Sequence, residues 1–319
     1  TYTTYNDLLS HCVVVGDRLY VLGDWALLSF DLDLNLLKQV SNWYDWPSSV
    51  ISDGKYLYIA SWEYIGKDDT RWRVEKRRLD DLSLVAVYTS NPEGDLALDI
   101  GINPATSHLW IIGSEGTAED PRWRIEVLDR DLVLLLVLKP GIWGGAQGVV
   151  FDENGNAYVY GDGGVVKYSR DGKELARAAT NGYFAGAVYV DSKLYVMTDD
   201  HRLIVFDVNL RRLGEVDLRQ EVAKRVNVEM FDMLRVAFDG ETIYVAGVAM
   251  LKGAFDEGWL VSAIQITTPT YQTVTPPTQT VTITQTTQIL SGFDSLLVAL
   301  AAVVVVVASV FLAVKRRRK

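Results

Sequence analysis

Residues 50–61, VISDGKYLYIAS, consist of two short runs of β-branched and aromatic residues on either side of Asp53-Gly54. Such runs flanking a tight turn are typical of a β-hairpin. The same unit recurs along the chain with an aromatic residue at a fixed place in its second run, so the repeat predicts an all-β fold. The recurring aromatic residues, called anchors here, are Tyr20, Tyr58, Trp110, Tyr158, Tyr195 and Tyr244.

A second hairpin follows each anchor except the last, and one segment of it occurs twice, as RWRVE at 71–75 and RWRIE at 122–126. Four strands in each unit of about 40–50 residues predict sheets that stack radially, since one sheet cannot bury both of its faces. The sixth unit has three strand-like runs and ends near residue 266. We therefore expect residues 1–9 to supply its fourth strand and close a ring.

The repeat resembles that of six-bladed β-propellers with NHL, YVTN or kelch-like repeats, and the resemblance covers residues 1–266. It implies an all-β, six-bladed β-propeller in that part of the chain. It implies no single function, because propellers include hydrolases, lyases, quinoproteins, receptors and scaffolds.

The remaining sequence predicts an anchor. Residues 267–292 are rich in Thr, Pro and Gln and predict an extended stalk, of the kind that is often O-glycosylated in surface glycoproteins. Residues 293–314 include an uncharged apolar run long enough to span a bilayer as one transmembrane helix, and 315–319 read KRRRK. The basic tail is expected in the cytoplasm and residues 1–292 outside the cell. This order resembles archaeal-type membrane-anchored cell-surface proteins.

Composition narrows the chemistry. The chain has 31 Lys and Arg residues and 41 Asp and Glu residues. Five of the basic residues lie in the tail, so the rest of the chain is strongly acidic. Nucleic acid is therefore not expected as a partner, because its phosphates bind basic surfaces. Cys12 is the single cysteine, so no intrachain disulfide can form. The three histidines, at 11, 108 and 201, fall in different repeats. We predict no metal site and no cofactor, and no motif identifies catalytic residues.

Loop lengths predict where ligands bind. The turns inside the hairpins are short, while the connections between hairpins and between units are long and rich in aromatic and acidic residues. In a propeller blade these long connections share one face, and long loops on a rigid scaffold often carry function. The predicted ligand-binding residues on this long-loop face are Trp43, Tyr44, Asp45, Trp46, Trp62, Glu63, Tyr64, Asp68, Asp69 and Trp143.

These patterns favour a non-enzymatic protein displayed at the cell membrane. Its partner would be a glycan, a surface-layer component or a protein, bound by the aromatic and acidic loops. Two alternatives remain open. One is an extracellular enzyme of hydrolase, lactonase or quinoprotein type with its site at a central channel, and the other is an accessory subunit of a membrane or filament assembly.

Overall fold

The computed structural model describes residues 9–23, 26–41, 46–66, 69–92, 96–179, 182–218, 228–238, 242–251, 257–267 and 282–290. These residues form four-stranded antiparallel sheets in which neighbouring strands follow one another in the sequence. The predicted four-stranded, propeller-like sheets are therefore confirmed. The chain divides into two compact units, Thr1–Asn181 and Gly182–Lys319.

The first unit contains four sheets. Sheet 1 consists of β1 (Leu9–Val15), β2 (Arg18–Gly23), β3 (Ala26–Asp31) and β4 (Leu36–Ser41). Sheet 2 consists of β5 (Trp46–Ser52), β6 (Tyr56–Tyr64), β7 (Thr70–Arg78) and β8 (Leu84–Thr89). Sheet 3 consists of β9 (Leu96–Ile102), β10 (Leu109–Glu115), β11 (Arg122–Leu128) and β12 (Leu134–Leu138). Sheet 4 consists of β13 (Ala146–Phe151), β14 (Ala157–Gly161), β15 (Gly164–Tyr168) and β16 (Glu174–Ala179).

The second unit contains two sheets. Sheet 5 consists of β17 (Phe184–Val190), β18 (Lys193–Thr198), β19 (Arg202–Asp207) and β20 (Arg212–Asp217). Sheet 6 consists of β21 (Val228–Phe238), β22 (Thr242–Leu251), β23 (Glu257–Thr267) and β24 (Thr282–Leu290).

The turns between third and fourth strands of sheets 1, 3 and 5 share one conformation. In sheet 3, Asp129 Oδ1 accepts hydrogen bonds from the backbone nitrogens of Asp131 and Val133, and Asp31 and Asp207 do the same in their own turns. Aspartate favours this arrangement because its short side chain reaches its own backbone two residues on. These three turns and the corresponding turn of sheet 2 each hold a leucine with a positive φ between 59° and 66°. These leucines are Leu34, Leu82, Leu132 and Leu210.

The anchor tyrosines join each of the first two sheets to the turn of the next sheet. The Tyr20 hydroxyl donates to the Leu79 carbonyl oxygen at 2.9 Å, and Leu82 from the same turn packs in the core beside Tyr20. In the same way, Tyr58 of sheet 2 packs in the core beside Leu132 from the turn of sheet 3. A left-handed leucine costs about 1–2 kcal/mol, which its burial between sheets offsets.

The first strands are linked by polar contacts at a shared irregularity. A β-bulge interrupts the pairing of β1, β5, β9, β13 and β17 with the second strand of each sheet. In the first unit, Ser49 Oγ donates to Asp99 Oδ1 at 2.8 Å, and Asp99 Oδ2 accepts from the Val149 nitrogen at 3.2 Å. The His11 Nδ1 atom accepts from the Val50 nitrogen at 3.4 Å. Hydrogen bonds beside the bulges thus connect the first strands of sheets 1 to 4 in one row.

The fourth strand of sheet 6 corrects one prediction. β24 pairs with β23 from Thr267↔Thr282 to Trp259↔Leu290, so the strand comes from the stretch predicted as a stalk. The expectation that residues 1–9 fill this place is wrong, because Leu9 pairs with Gly23 in sheet 1, and residues 1–8 lie outside the described residues. A Thr- and Gln-rich segment can form this strand, because the hydrogen bonds between strands join backbone groups and do not depend on side chains.

The direction of β24 also changes where the chain leaves sheet 6. With β23 as the last strand, the chain would leave from the end that carries the turn between third and fourth strands. Leu290 instead lies beside Trp259, at the end that carries the connection between second and third strands. Within the described residues no helix is both long and apolar enough to cross a membrane. The predicted span 293–314 and tail 315–319 lie outside those residues.

Candidate functional site

Sheet 2 differs from the other sheets of its unit at the long-loop end. β6 and β7 have 9 residues each, whereas the corresponding strands of sheets 1, 3 and 4 have 5 to 7. The pairing of β6 with β7 continues from Tyr56↔Arg78 to Tyr64↔Thr70 without a register shift. The extra length carries Trp62, Glu63 and Tyr64, which the sequence placed among the ligand-binding residues.

Three predicted residues form a continuous aromatic surface, called the aromatic platform here: Trp46, Trp62 and Tyr64. The Trp46 and Trp62 rings stack with centroids 5.6 Å apart and planes 9° from parallel. Tyr64 meets Trp62 edge to face, with centroids 5.4 Å apart. Trp46 is 44% exposed and Tyr64 is 58% exposed. The platform therefore offers aromatic surface to solvent in a fixed arrangement.

Strand geometry explains why these rings meet. Residues directly opposite each other in a sheet share a face, and side chains alternate along a strand. Trp46 pairs with Trp62, which in turn pairs with Trp72 of β7, so the three indoles form one row across the sheet. Trp72 is fully buried and belongs to the core between sheets 2 and 3. The platform is thus the solvent-exposed continuation of that core.

The opposite face of the same hairpin carries ion pairs. Glu63 lies between two platform residues in sequence and points to the other face, where its carboxylate contacts the Arg71 guanidinium at 2.5 Å and that of Arg73 at 3.4 Å. Arg73 also contacts Glu75 at 2.9 Å, and Glu75 contacts Arg77 at 2.6 Å. We call this row the ion-pair clamp. It stiffens the hairpin, and it neutralises the one acidic residue within the aromatic run.

Sheet 3 carries a related set of charges, which the sequence analysis did not assign to a site. Arg124 Nη2 contacts Glu126 at 2.6 Å, and Glu115 contacts Lys139 at 2.6 Å. Burial raises the pKa of Glu126, while the charge of Arg124 opposes that shift. The signal was present in the repeated RWRVE and RWRIE segments, since Arg and Glu two residues apart on a strand share a face.

Two of the remaining predicted residues, Trp143 and Asp69, are described, and neither belongs to the three platform rings. Trp143 lies in the connection between β12 and β13, forms a bridge with Arg122 of β11, and is 58% exposed. Asp69 closes the β6–β7 turn by accepting a hydrogen bond from the Ile65 nitrogen through its carbonyl oxygen. The other four predicted residues lie outside the described residues: Trp43, Tyr44, Asp45 and Asp68.

Metal-binding groups do not cluster in the described ranges, where no three His, Cys, Asp or Glu side chains lie together as they would around an ion. Asp152 shows how such a carboxylate is used in a turn instead. Its Oδ1 atom accepts hydrogen bonds from the Asn154 and Asn156 nitrogens, and Asn156 Nδ2 donates to Oδ2. The aspartate is therefore engaged in holding a hairpin turn.

Comparison with known proteins identifies the fold alone. No protein family and no curated protein matches the chain. Among solved structures, a protein of unknown function from Bacteroides caccae is similar with a TM-score of 0.51 and 13% identity, covering 72% of this chain and 81% of that one. BamB from Moraxella catarrhalis is similar with a TM-score of 0.49 and 10% identity, covering 73% of this chain and 68% of that one. The chain is therefore an all-β protein built from propeller-like sheets of four antiparallel strands.

Proposed function

We propose that the protein is a membrane-anchored cell-surface receptor whose aromatic platform binds a glycan, a surface-layer component or a partner protein. In this proposal the sheets are the blades of a six-bladed β-propeller outside the cell. Residues 293–314 cross the membrane once, and the KRRRK tail lies in the cytoplasm. Segments between β23 and the membrane carry O-linked sugar on their threonines.

One observation carries the binding role: exposed aromatic rings held rigidly on an extended hairpin. About half of the surface of Trp46 and of Tyr64 is exposed to solvent, whereas Trp72 on the same face of the sheet is fully buried. Large aromatic rings dominate the energetics of many recognition surfaces, because they bury much area with little loss of side-chain freedom. The ion-pair clamp behind the platform limits its movement, so less ordering is needed when a ligand binds.

The test compares binding of wild-type protein and its Trp46→Ala variant to the intact envelope of the source organism. We expect the variant to lose at least about tenfold in affinity, equivalent to about 1.4 kcal/mol. Protease accessibility of the sheets on intact cells tests the orientation. Equal binding by the two proteins would contradict the receptor proposal, and protection of the sheets from protease would contradict extracellular display.

The enzymatic alternative has a structural observation of its own. His11, Ser49 and Asp99 lie on the first strands of three successive sheets, which in a propeller line the central channel. An imidazole, a hydroxyl and a carboxylate could serve acid–base or nucleophilic chemistry. Hydrolysis of ester and lactone substrates that is lost in Ser49→Ala and kept in Trp46→Ala would favour this alternative over the receptor.

A further inference from the structure

The face of sheet 2 that carries the platform has a defined chemistry. At the long-loop end of β5, β6 and β7, the positions on this face are Trp46, Trp62, Tyr64, Thr70 and Trp72. Tryptophan, tyrosine and threonine side chains are neutral hydrogen-bonding groups, so none of these five carries a charge. The surface that a ligand would meet on these strands is therefore aromatic and uncharged.

Glu63, one of the four acidic residues predicted to accompany the rings, does not contribute a free carboxylate. Glu63 is turned to the opposite face, and each of its carboxylate oxygens contacts an arginine. A cationic ligand would have to compete with Arg71 and Arg73 for it, and would have to reach it from the wrong side of the sheet. Glu63 is thus a poor basis for attracting a cationic ligand to the platform.

The rings themselves suit a flat ligand with apolar C–H faces and hydroxyl edges. The near-parallel Trp46–Trp62 stack presents an indole plane, and the Tyr64 ring meets the Trp62 ring at 72°. A pyranose ring has the matching form, since its axial C–H groups pack on an aromatic face while its hydroxyls stay hydrated or accept and donate hydrogen bonds at the periphery.

We propose that the aromatic platform binds an uncharged carbohydrate chain, with one sugar ring stacked on the exposed Trp46. This deepens the receptor proposal and rests on it. Recognition occurs by ring stacking, so it is insensitive to salt. The ion-pair clamp acts from behind by holding β6 and β7 together, and it makes no contact with the sugar.

The test uses the full chain in lipid nanodiscs and calorimetric titration with uncharged hexasaccharides of glucose, mannose and N-acetylglucosamine. Hexalysine and a uronic-acid polymer are titrated in parallel, at low and at about 1 M salt. We expect at least one uncharged hexasaccharide to bind with an affinity that changes less than about twofold with salt. Trp46→Ala should weaken it at least about tenfold, or about 1.4 kcal/mol, and Trp46→Phe should restore most of the affinity.

Leu135→Ala is the matched control, because it removes a large apolar side chain that is 48% exposed on β12, away from the platform. It should bind as the wild type does. The inference is overturned if no uncharged hexasaccharide binds, if only a charged polymer binds, or if Trp46→Ala and wild type bind the sugar equally.

The envelope-binding experiment separates this inference from the receptor proposal. Envelope binding that depends on Trp46, combined with no affinity for any uncharged hexasaccharide, means that the receptor proposal stands and the carbohydrate inference fails. Envelope binding that is unchanged in Trp46→Ala means that both fail.

Discussion

Trp46 and Trp72 flank Trp62 on the two neighbouring strands of one sheet, yet Trp46 is 44% exposed and Trp72 is completely buried. The row therefore passes from solvent to core within the width of three strands. Replacing the two outer residues gives a direct comparison of a surface ring with a core ring, in the same sheet and on the same face.

Trp72→Ala should lower the free energy of unfolding by about 3–5 kcal/mol, because it opens a cavity between sheets 2 and 3. Trp46→Ala should lower it by less than about 1 kcal/mol, as exposed positions generally do. Urea denaturation followed by circular dichroism measures both. Equal losses for the two variants would show that Trp46 is part of the core and would remove the basis of the platform.

The Tyr58 hydroxyl stabilises the contact between sheets 2 and 3. It lies 3.1 Å from Asp53 Oδ2 and 3.4 Å from the Arg130 carbonyl oxygen. Burial and the Asp53 charge raise the pKa of Tyr58, so the hydroxyl remains a donor at all ordinary pH values. Tyr58→Phe should cost about 0.5–1.5 kcal/mol of unfolding free energy. Tyr64→Phe, which removes a hydroxyl from an exposed ring, is the control and should be neutral.

Leu132 combines burial with a φ of 66°, a region that glycine occupies without strain. Leu132→Ala loses core packing and keeps the backbone strain, whereas Leu132→Gly loses the packing and relieves the strain. We expect the glycine variant to be more stable than the alanine variant by about 1 kcal/mol, the reverse of the usual order in a strand. Thermal and urea denaturation of both variants measure the difference. The reverse ranking would argue that Leu132 carries no backbone strain.

Cys12 should be unreactive in the folded protein. Burial raises the pKa of its thiol to about 11. At pH 8 about one molecule in a thousand then carries the reactive thiolate, compared with roughly one in four for a free thiol of pKa about 8.5. Titration with a chromogenic disulfide should give a slow reaction in buffer and a fast one in denaturant, with the folded rate rising steeply between pH 9 and about 11. Rapid labelling at pH 8 without denaturant would contradict the buried environment.

Sheet 6 should depend on β24. A chain that ends after Leu290 keeps the fourth strand, whereas one that ends after Thr267 leaves β23 as an unpaired edge. We expect the shorter chain to unfold at a lower denaturant concentration and to aggregate more readily. Refolding with a synthetic peptide of residues 282–290 should restore part of the loss. Identical unfolding curves would show that β24 adds no stability.

Hairpins and sheets could be predicted from the sequence because their signals are local. The Asp53-Gly54 turn and the Tyr58 anchor lie within six residues of each other, and each fixes its own hydrogen bonds. β24 could not be predicted, because a Thr- and Gln-rich segment after prolines has the composition of a linker, and its pairing depends on backbone groups alone.

The sequence predicted which residues form the candidate site, but it did not predict how they are arranged. The sequence placed Trp46, Trp62 and Tyr64 on one loop-rich end, and the structure brings these three together. It could not separate Glu63 from them, because the alternation of faces applies only within a strand, and the sequence predicted residues 62–64 as part of a loop rather than of β6. The register between β6 and β7 decides which arginine Glu63 meets.

The pairing of β24 also sets the reach of the receptor. Residues 268–292 as a free linker could extend about 80 Å, at about 3.3 Å per residue. With 282–290 held in the sheet, only residues 291 and 292 separate Leu290 from the segment proposed to enter the bilayer, a span of less than about 10 Å. In the proposed membrane-anchored arrangement, a receptor tied so closely would meet the layer immediately above its own membrane and would not reach across to a neighbouring cell.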